Sequence, residues 1–187
     1  MTSFEESLRI GRLSESAIVS WLRARGNGII TVYEIEHEKK EGPRFLAARS
    51  RAFVAPDVLC FGGQGNVLWC ETKYKTVFSW YRKGRKWVTG VDQNHFRDYR
   101  QVAAETGLPV WLAFLHVSDA PHDKDISCGA PSLCPTGLFI GEVERLARSY
   151  SHESGRHGRH GMIYWAEETL TRLASAEEVM RHHAEAA

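Results

Sequence analysis

Apolar residues along the chain follow a helical rhythm first and a strand rhythm second. Between residues 4 and 25, Leu8, Ile18 and Leu22 fall on one face, with Gly11 and Glu15 between them at helical spacing, which predicts an amphipathic helix. Gly26-Asn27-Gly28 stops it. Ile29 to Ile35 (IITVYEI) is β-branched and aromatic and predicts a strand. Glu36 to Arg44 is a charged turn carrying Gly42-Pro43, and a second extended stretch runs from Phe45 to Phe61, interrupted at Pro56. Gly62 to Asn66 is a turn by composition, and Val67 to Lys73 (VLWCETK) is the third strand.

Residues 74–91 are basic and aromatic without a clear period and read as irregular. Asp92 is placed to cap a helix from Gln93 to Thr106, which Gly107 and Pro109 terminate. Val110 to Val117 is nearly all apolar, as suits a strand at a sheet centre. Residues 118–136 form a long loop, a length that usually signals function or mobility. Short strands at 137–141 and 161–165 and helices near 142–149 and 175–185 complete the chain, and the His/Gly/Arg stretch 152–161 reads as a flexible loop. Strands mixed with two long helices predict an α/β fold with one sheet packed on both faces. The 187 residues favour one domain, with a core over about 4–117 and a C-terminal α/β extension over 118–187.

Composition narrows the picture further. No run approaches the apolar length of a membrane span. Met1 to Ile10 carries Glu5 and Glu6 and no apolar segment of the secretory kind, so a cytoplasmic protein is expected. Its four cysteines would then be reduced, and Cys60 and Cys70 read as core residues. Net charge is only +1, but it is unevenly spread. Lys73 to Arg100 holds eight Lys/Arg against Asp92 and Asp98, whereas Ala166 onward holds five Glu against Arg172 and Arg181.

The candidate chemistry sits on the third strand. Alternation puts Glu71 and Lys73 on one face, after Val67 and Trp69. Charges at the end of a buried strand need partners or a task. Asp57 lies fourteen residues before Glu71. A hairpin turning at 62–66 would bring the two acids to the same end. Two carboxylates there can hold a hard cation such as Mg²⁺, which prefers oxygen ligands and keeps several waters. Such an ion can activate water and stabilise charge on a phosphate, and a nearby lysine can orient or deprotonate that water.

Ala55-Pro56-Asp57 followed by Glu71-Thr72-Lys73 resembles the PD-(D/E)xK nuclease superfamily, and so does the element order over residues 8–117. The resemblance implies a restriction-endonuclease-like core, αβββαβ, with a central mixed sheet flanked by helices. It implies a Mg²⁺-dependent nuclease, Mn²⁺ being a possible substitute, with DNA the favoured substrate. Asp57 and Glu71 would bind the metal and Lys73 would position the attacking water. Gly11-x-x-x-Glu15 resembles the first helix of resolvase-like members, which implies that Glu15 completes the metal site. Gln93 stands where some members place a glutamine that supports the site or touches the phosphate. Its six-residue spacing to Tyr99 departs from the Q-x-x-x-Y pattern of the RecB-like branch, and Tyr99 reads equally as core. A homodimer fits nucleases that cut both strands.

Lys73 to Trp87 interleaves basic and aromatic residues. Lys75, Arg82, Lys83, Arg85 and Lys86 could pair with phosphates while Trp80, Tyr81 or Trp87 stack on bases; the plainer reading is a solvated loop with its aromatics packed on the core. His152, His157 and His160 could also lie near the DNA. A zinc-stabilised interaction module would draw on His116, His122, Cys128 and Cys134, but Cys-x5-Cys is outside common zinc spacings. Two further rivals keep the fold: an inactive nucleic-acid-binding protein, and a nuclease acting on RNA.

Overall fold

The computed structural model describes residues 16–31, 45–46, 52–158 and 160–186. The first described element is helix α1, residues 16–24, which ends in a turn with Gly26 at φ 79°. Strands β1 (Gly28–Thr31), β2 (Phe45–Leu46), β3 (Ala52–Phe53), β4 (Val58–Phe61) and β5 (Val67–Lys75) follow. After β6 (Ser79–Tyr81) and β7 (Lys86–Asp92) come helix α2 (Gln93–Thr106) and β8 (Val110–His116). The remainder is α3 (Asp123–Ile126), β9 (Gly137–Glu142), α4 (Val143–Leu146), β10 (His152–Ser154), β11 (Met162–Ala166), β12 (Thr171–Ala174) and α5 (Ala176–Ala186).

The central sheet has six strands in the order β1-β4-β5-β8-β9-β12. It is mixed: β5 and β8 run parallel, and every other neighbouring pair is antiparallel. Parallel neighbours need a long crossover, and α2 lies in the one joining β5 to β8. The fold is therefore α/β with helices on both faces of a mixed sheet, in the order helix, three sheet strands, helix, strand.

Alternation along β8 divides the core in two. Leu112 and Phe114 pack with Trp69, Phe139 and the α2 residues Phe96, Tyr99 and Val102. Ala113 and Leu115 pack on the other face with Cys60, Cys70, Leu138, the α1 residues Ala17, Ile18 and Trp21, and Val179 of α5. The C-terminal strands β9 and β12 extend the same sheet. Trp165 of β11 is fully buried and donates its indole N–H to the Leu146 carbonyl at 2.8 Å.

Helix α2 has the bounds expected from the sequence. The Asp92 carboxylate accepts the Asn94 N–H at 2.8 Å, and Gly107 takes the left-handed conformation (φ 67°) at the other end.

Three expectations need correction. Residues 74–91 are ordered: β5 runs on to Lys75, and β6 and β7 form a hairpin in a second sheet, β10-β11-β7-β6. Trp80 and Trp87 are cross-strand partners with ring centroids 5.0 Å apart, an aromatic pair of the kind that stabilises hairpins. The basic residues Arg82, Lys83 and Arg85 are gathered in its turn. The stretch 152–161 likewise begins with a strand, and His152 stacks between Tyr81 (3.8 Å) and Tyr164 (4.7 Å). Gly90 lets the neighbouring strand come close: a Cβ there would lie 2.3 Å from the Ile163 carbonyl oxygen. Within 118–136, residues Asp123–Ile126 are helical.

Candidate active site

The hairpin of β4 and β5 carries the acids together. Val58 pairs with Cys70, so Asp57, at the bend just before β4, arrives beside Glu71 and Thr72. Its Oδ2 accepts the Thr72 backbone N–H at 2.8 Å and the Thr72 hydroxyl at 3.0 Å. These donors fix the carboxylate against the strand.

Glu71 is only 2% exposed. Its Oε1 accepts the Tyr99 hydroxyl at 2.5 Å and forms an ion pair with the Lys73 ammonium. Its Oε2 is buried and has no hydrogen-bond partner among the described residues. A buried carboxylate oxygen without a partner is costly, more so for a charged group. The Lys73 side chain is 30% exposed, so the site opens to solvent at the lysine.

The electrostatics follow from this crowding. Burial, reinforced by the Glu71 charge, pushes the Asp57 carboxyl from 3.8 up to about 7, although Lys73 and the Thr72 donors pull the other way. Burial and the same glutamate hold the Tyr99 hydroxyl well above its usual range, so it remains a donor. Lys75, two residues past Lys73 on the same face, is pushed down to about 8 by burial and then by the Lys73 charge.

Such a donor set fits a hard divalent cation. It offers two oxygen ligands close enough to feel each other's charge, one of them with an unused buried oxygen. Among the described residues, no group of three His, Cys, Asp or Glu gathers to hold a metal. Glu15 lies outside the described residues. Helix α1, described from residue 16, packs on the Cys60 and Cys70 face, opposite that of Glu71.

Other expected residues are distributed as follows. Gln93 opens α2, but its side-chain amide donates to Glu153 of β10 at 3.0 Å. Consecutive helix positions turn by about 100°, so Gln93 and Tyr99 point to different sides. The residue that shares the face of Tyr99, one turn earlier, is His95, with ring centroids 6.3 Å apart. Arg82, Lys83 and Arg85 are exposed at the β6–β7 turn, and Lys86 is half-buried and 3.8 Å from Glu168. His116 is in the core, stacked on Phe78 at 3.6 Å, while His122 and Cys128 are exposed and Cys134 is buried.

Sequence reasoning thus did not single out Thr72 or His95 as neighbours of this cluster, and it left Tyr99 undecided. For Tyr99 and His95 the usable signal is their i, i+4 spacing on α2. For Thr72 there was none, because its role depends on where the Asp57 side chain lands.

No family model matches the sequence, and no curated protein matches it. In structure the chain is similar to the Holliday junction resolvase Hjc of Archaeoglobus fulgidus, an archaeal hyperthermophile. That match has 13% identity, covers 90% of this chain and 99% of that one, and has a TM-score of 0.47. The chain is also similar to D212, a nuclease from a fusselovirus, at 12% identity, with 96% of this chain and 93% of that one covered and a TM-score of 0.39.

Proposed function

We propose that this protein is a Mg²⁺-dependent nuclease that hydrolyses phosphodiester bonds in DNA. One observation carries the reading. Glu71, buried at the end of β5, has one oxygen held by Tyr99 and Lys73 and the other without a partner among the described residues, beside a second desolvated carboxylate.

Asp57 and Glu71 would hold the metal. Bound Mg²⁺ supplies Lewis acidity, drawing charge from a phosphate oxygen and making water a better nucleophile. Mn²⁺ accepts similar ligands and can substitute. Thr72 fixes the Asp57 carboxylate and Tyr99 fixes that of Glu71, so both acids are placed before substrate arrives. Lys73, part-exposed at the mouth of the site, orients the attacking water or offsets charge building on the phosphate. Glu15 would complete the metal site, on the strength of the sequence alone. Gln93, engaged by Glu153, supports the start of α2. The exposed Arg82, Lys83 and Arg85 at the hairpin turn, with Lys75 and Lys86 nearer the sheets, would pair with backbone phosphates.

The test is a cleavage survey on linear, circular, single-stranded and branched DNA and on RNA, with and without Mg²⁺ or Mn²⁺. The expected outcome is divalent-dependent cutting of DNA that disappears in Asp57→Ala and falls by about 10²–10³ in Lys73→Ala. Undiminished cutting in both variants would overturn the site. Binding with no cutting would favour an inactive nucleic-acid-binding protein, and cutting of RNA alone would change the substrate.

A further inference from the structure

Helix α2 presents a titratable side chain to the site that the reading above does not use. His95 and Tyr99 are four residues apart, so they are about 40° apart around the helix and one turn apart along it. Tyr99 is fully buried, and its hydroxyl reaches Glu71 Oε1. His95 is exposed, one turn nearer the start of the helix, with its ring centroid 6.3 Å from that of Tyr99. The two rings therefore form a column from solvent down to the buried carboxylate.

The neighbourhood of His95 is that of the site. Partial burial first, and then the charge of Lys73, lower its pKa below the ordinary 6.5, while Asp92 and Asp98 pull it up and His160 pulls it down. A neutral imidazole carries one N–H donor. Asp98, on the same side of α2, accepts the Val54 N–H at 3.3 Å, so this side of the helix faces the segment leading to Asp57. Gln93 is about 200° away around the helix and is held by the second sheet.

We infer that His95 is a further substrate-contacting residue, its imidazole N–H donating to a phosphate oxygen of the nucleic acid bound at the Asp57–Glu71 site. The inference rests on the nuclease reading. A phosphate suits this position better than the metal does. Mg²⁺ takes oxygen ligands in preference to imidazole nitrogen, whereas an N–H aimed at an anionic oxygen makes a charge-assisted hydrogen bond. The contact would also explain why an aromatic, polar side chain is left exposed beside Lys73 instead of being packed down like Tyr99.

The experiment uses the full chain and the DNA substrate that the survey cuts fastest. His95→Ala, His95→Gln and Asp57→Ala are compared with wild type for kcat/KM in Mg²⁺ and for thermal midpoint. His95→Ala should lower kcat/KM by about tenfold or more, the effect of losing one hydrogen bond to a charged group. His95→Gln, which keeps an N–H donor, should restore most of it, and both midpoints should match wild type. Full activity in His95→Ala with Asp57→Ala inactive would overturn the inference and leave the nuclease reading standing. Equal losses in both histidine variants, with lowered midpoints, would show a structural role and would also overturn it. Absence of cutting by the wild type would remove the nuclease reading and this inference together.

Discussion

Glu71 and His116 lie on neighbouring parallel strands, on the same face of the central sheet, and both are almost entirely buried. The Oε2 of Glu71 has no hydrogen-bond partner among the described residues, whereas the His116 ring has a hydrogen bond with the Val77 backbone. The fold accommodates them differently. Burial, with the charge of nearby Lys75, drives the His116 pKa down to about 3, so the ring is neutral at any ordinary pH and stacks on Phe78 as an aromatic. Glu71 is instead held in a charged cluster by Lys73, Tyr99 and Asp57. The sheet thus accommodates buried polar groups in two ways: His116 as a neutral ring stacked among aromatics, and Glu71 among charged and hydrogen-bonding groups, the surroundings on which the proposed metal site rests.

Substitutions can break that contrast. The largest effect belongs to Glu71→Gln, which keeps the shape but removes the charge: cleavage should fall by about 10³ or more, measured by single-turnover assay. His116→Leu, on the same face, should leave cleavage unchanged. A variant at 116 that abolished cutting without unfolding would show that the two positions are not different in kind.

Next in size is Tyr99→Phe. It removes a donor from a buried carboxylate, so denaturant unfolding should show a loss of about 1.5–3 kcal/mol, with reduced cleavage. The matching loss for His116→Leu should stay under about 1.5 kcal/mol, because an apolar side chain of similar size replaces a ring already held neutral.

The smallest effect is on pH dependence. Asp57 has a folded pKa of about 7 against an ordinary 3.8. Between those values the folded chain keeps a proton that the unfolded chain releases. The stability of the metal-free protein should therefore fall as pH rises from about 4 to about 7 and level off above. Asp57→Asn should remove that slope and raise the metal-free melting temperature at pH 8, while abolishing cleavage. Mg²⁺ competes with the same proton, so the stabilisation it gives wild type should grow between pH 6 and 8, as read by thermal melts with and without the ion. A wild-type melting curve indifferent to pH over this range would deny Asp57 its elevated pKa.

Much of this arrangement was legible in the sequence, because it depends on local rules. Asp92 and Gly107 mark the ends of α2 by capping chemistry. The turn at 62–66 sets the register that carries Asp57 to Glu71, and strand alternation places Lys73 with Glu71 and Cys70 opposite them. The hairpin of β6 and β7 was obscured because its basic residues crowd the turn and so mimic a solvated loop, while its stability comes from Trp80 against Trp87 and from β11, more than seventy residues later along most of its register. For Gln93, position along the helix does not give rotation around it. The hydrogen bond to Glu153 is a tertiary fact that no local pattern encodes. Glu15 lies outside the described residues, so its part in the site remains a sequence proposal.

The central claim is that Asp57 and Glu71 form a metal site. It is tested most directly by a crystal structure with Mn²⁺ and anomalous scattering data. The account predicts one anomalous peak about 2.0–2.3 Å from Glu71 Oε2 and an Asp57 oxygen. A structure at saturating Mn²⁺ with no peak there, and with Lys73 and Tyr99 still engaging Glu71, would contradict it.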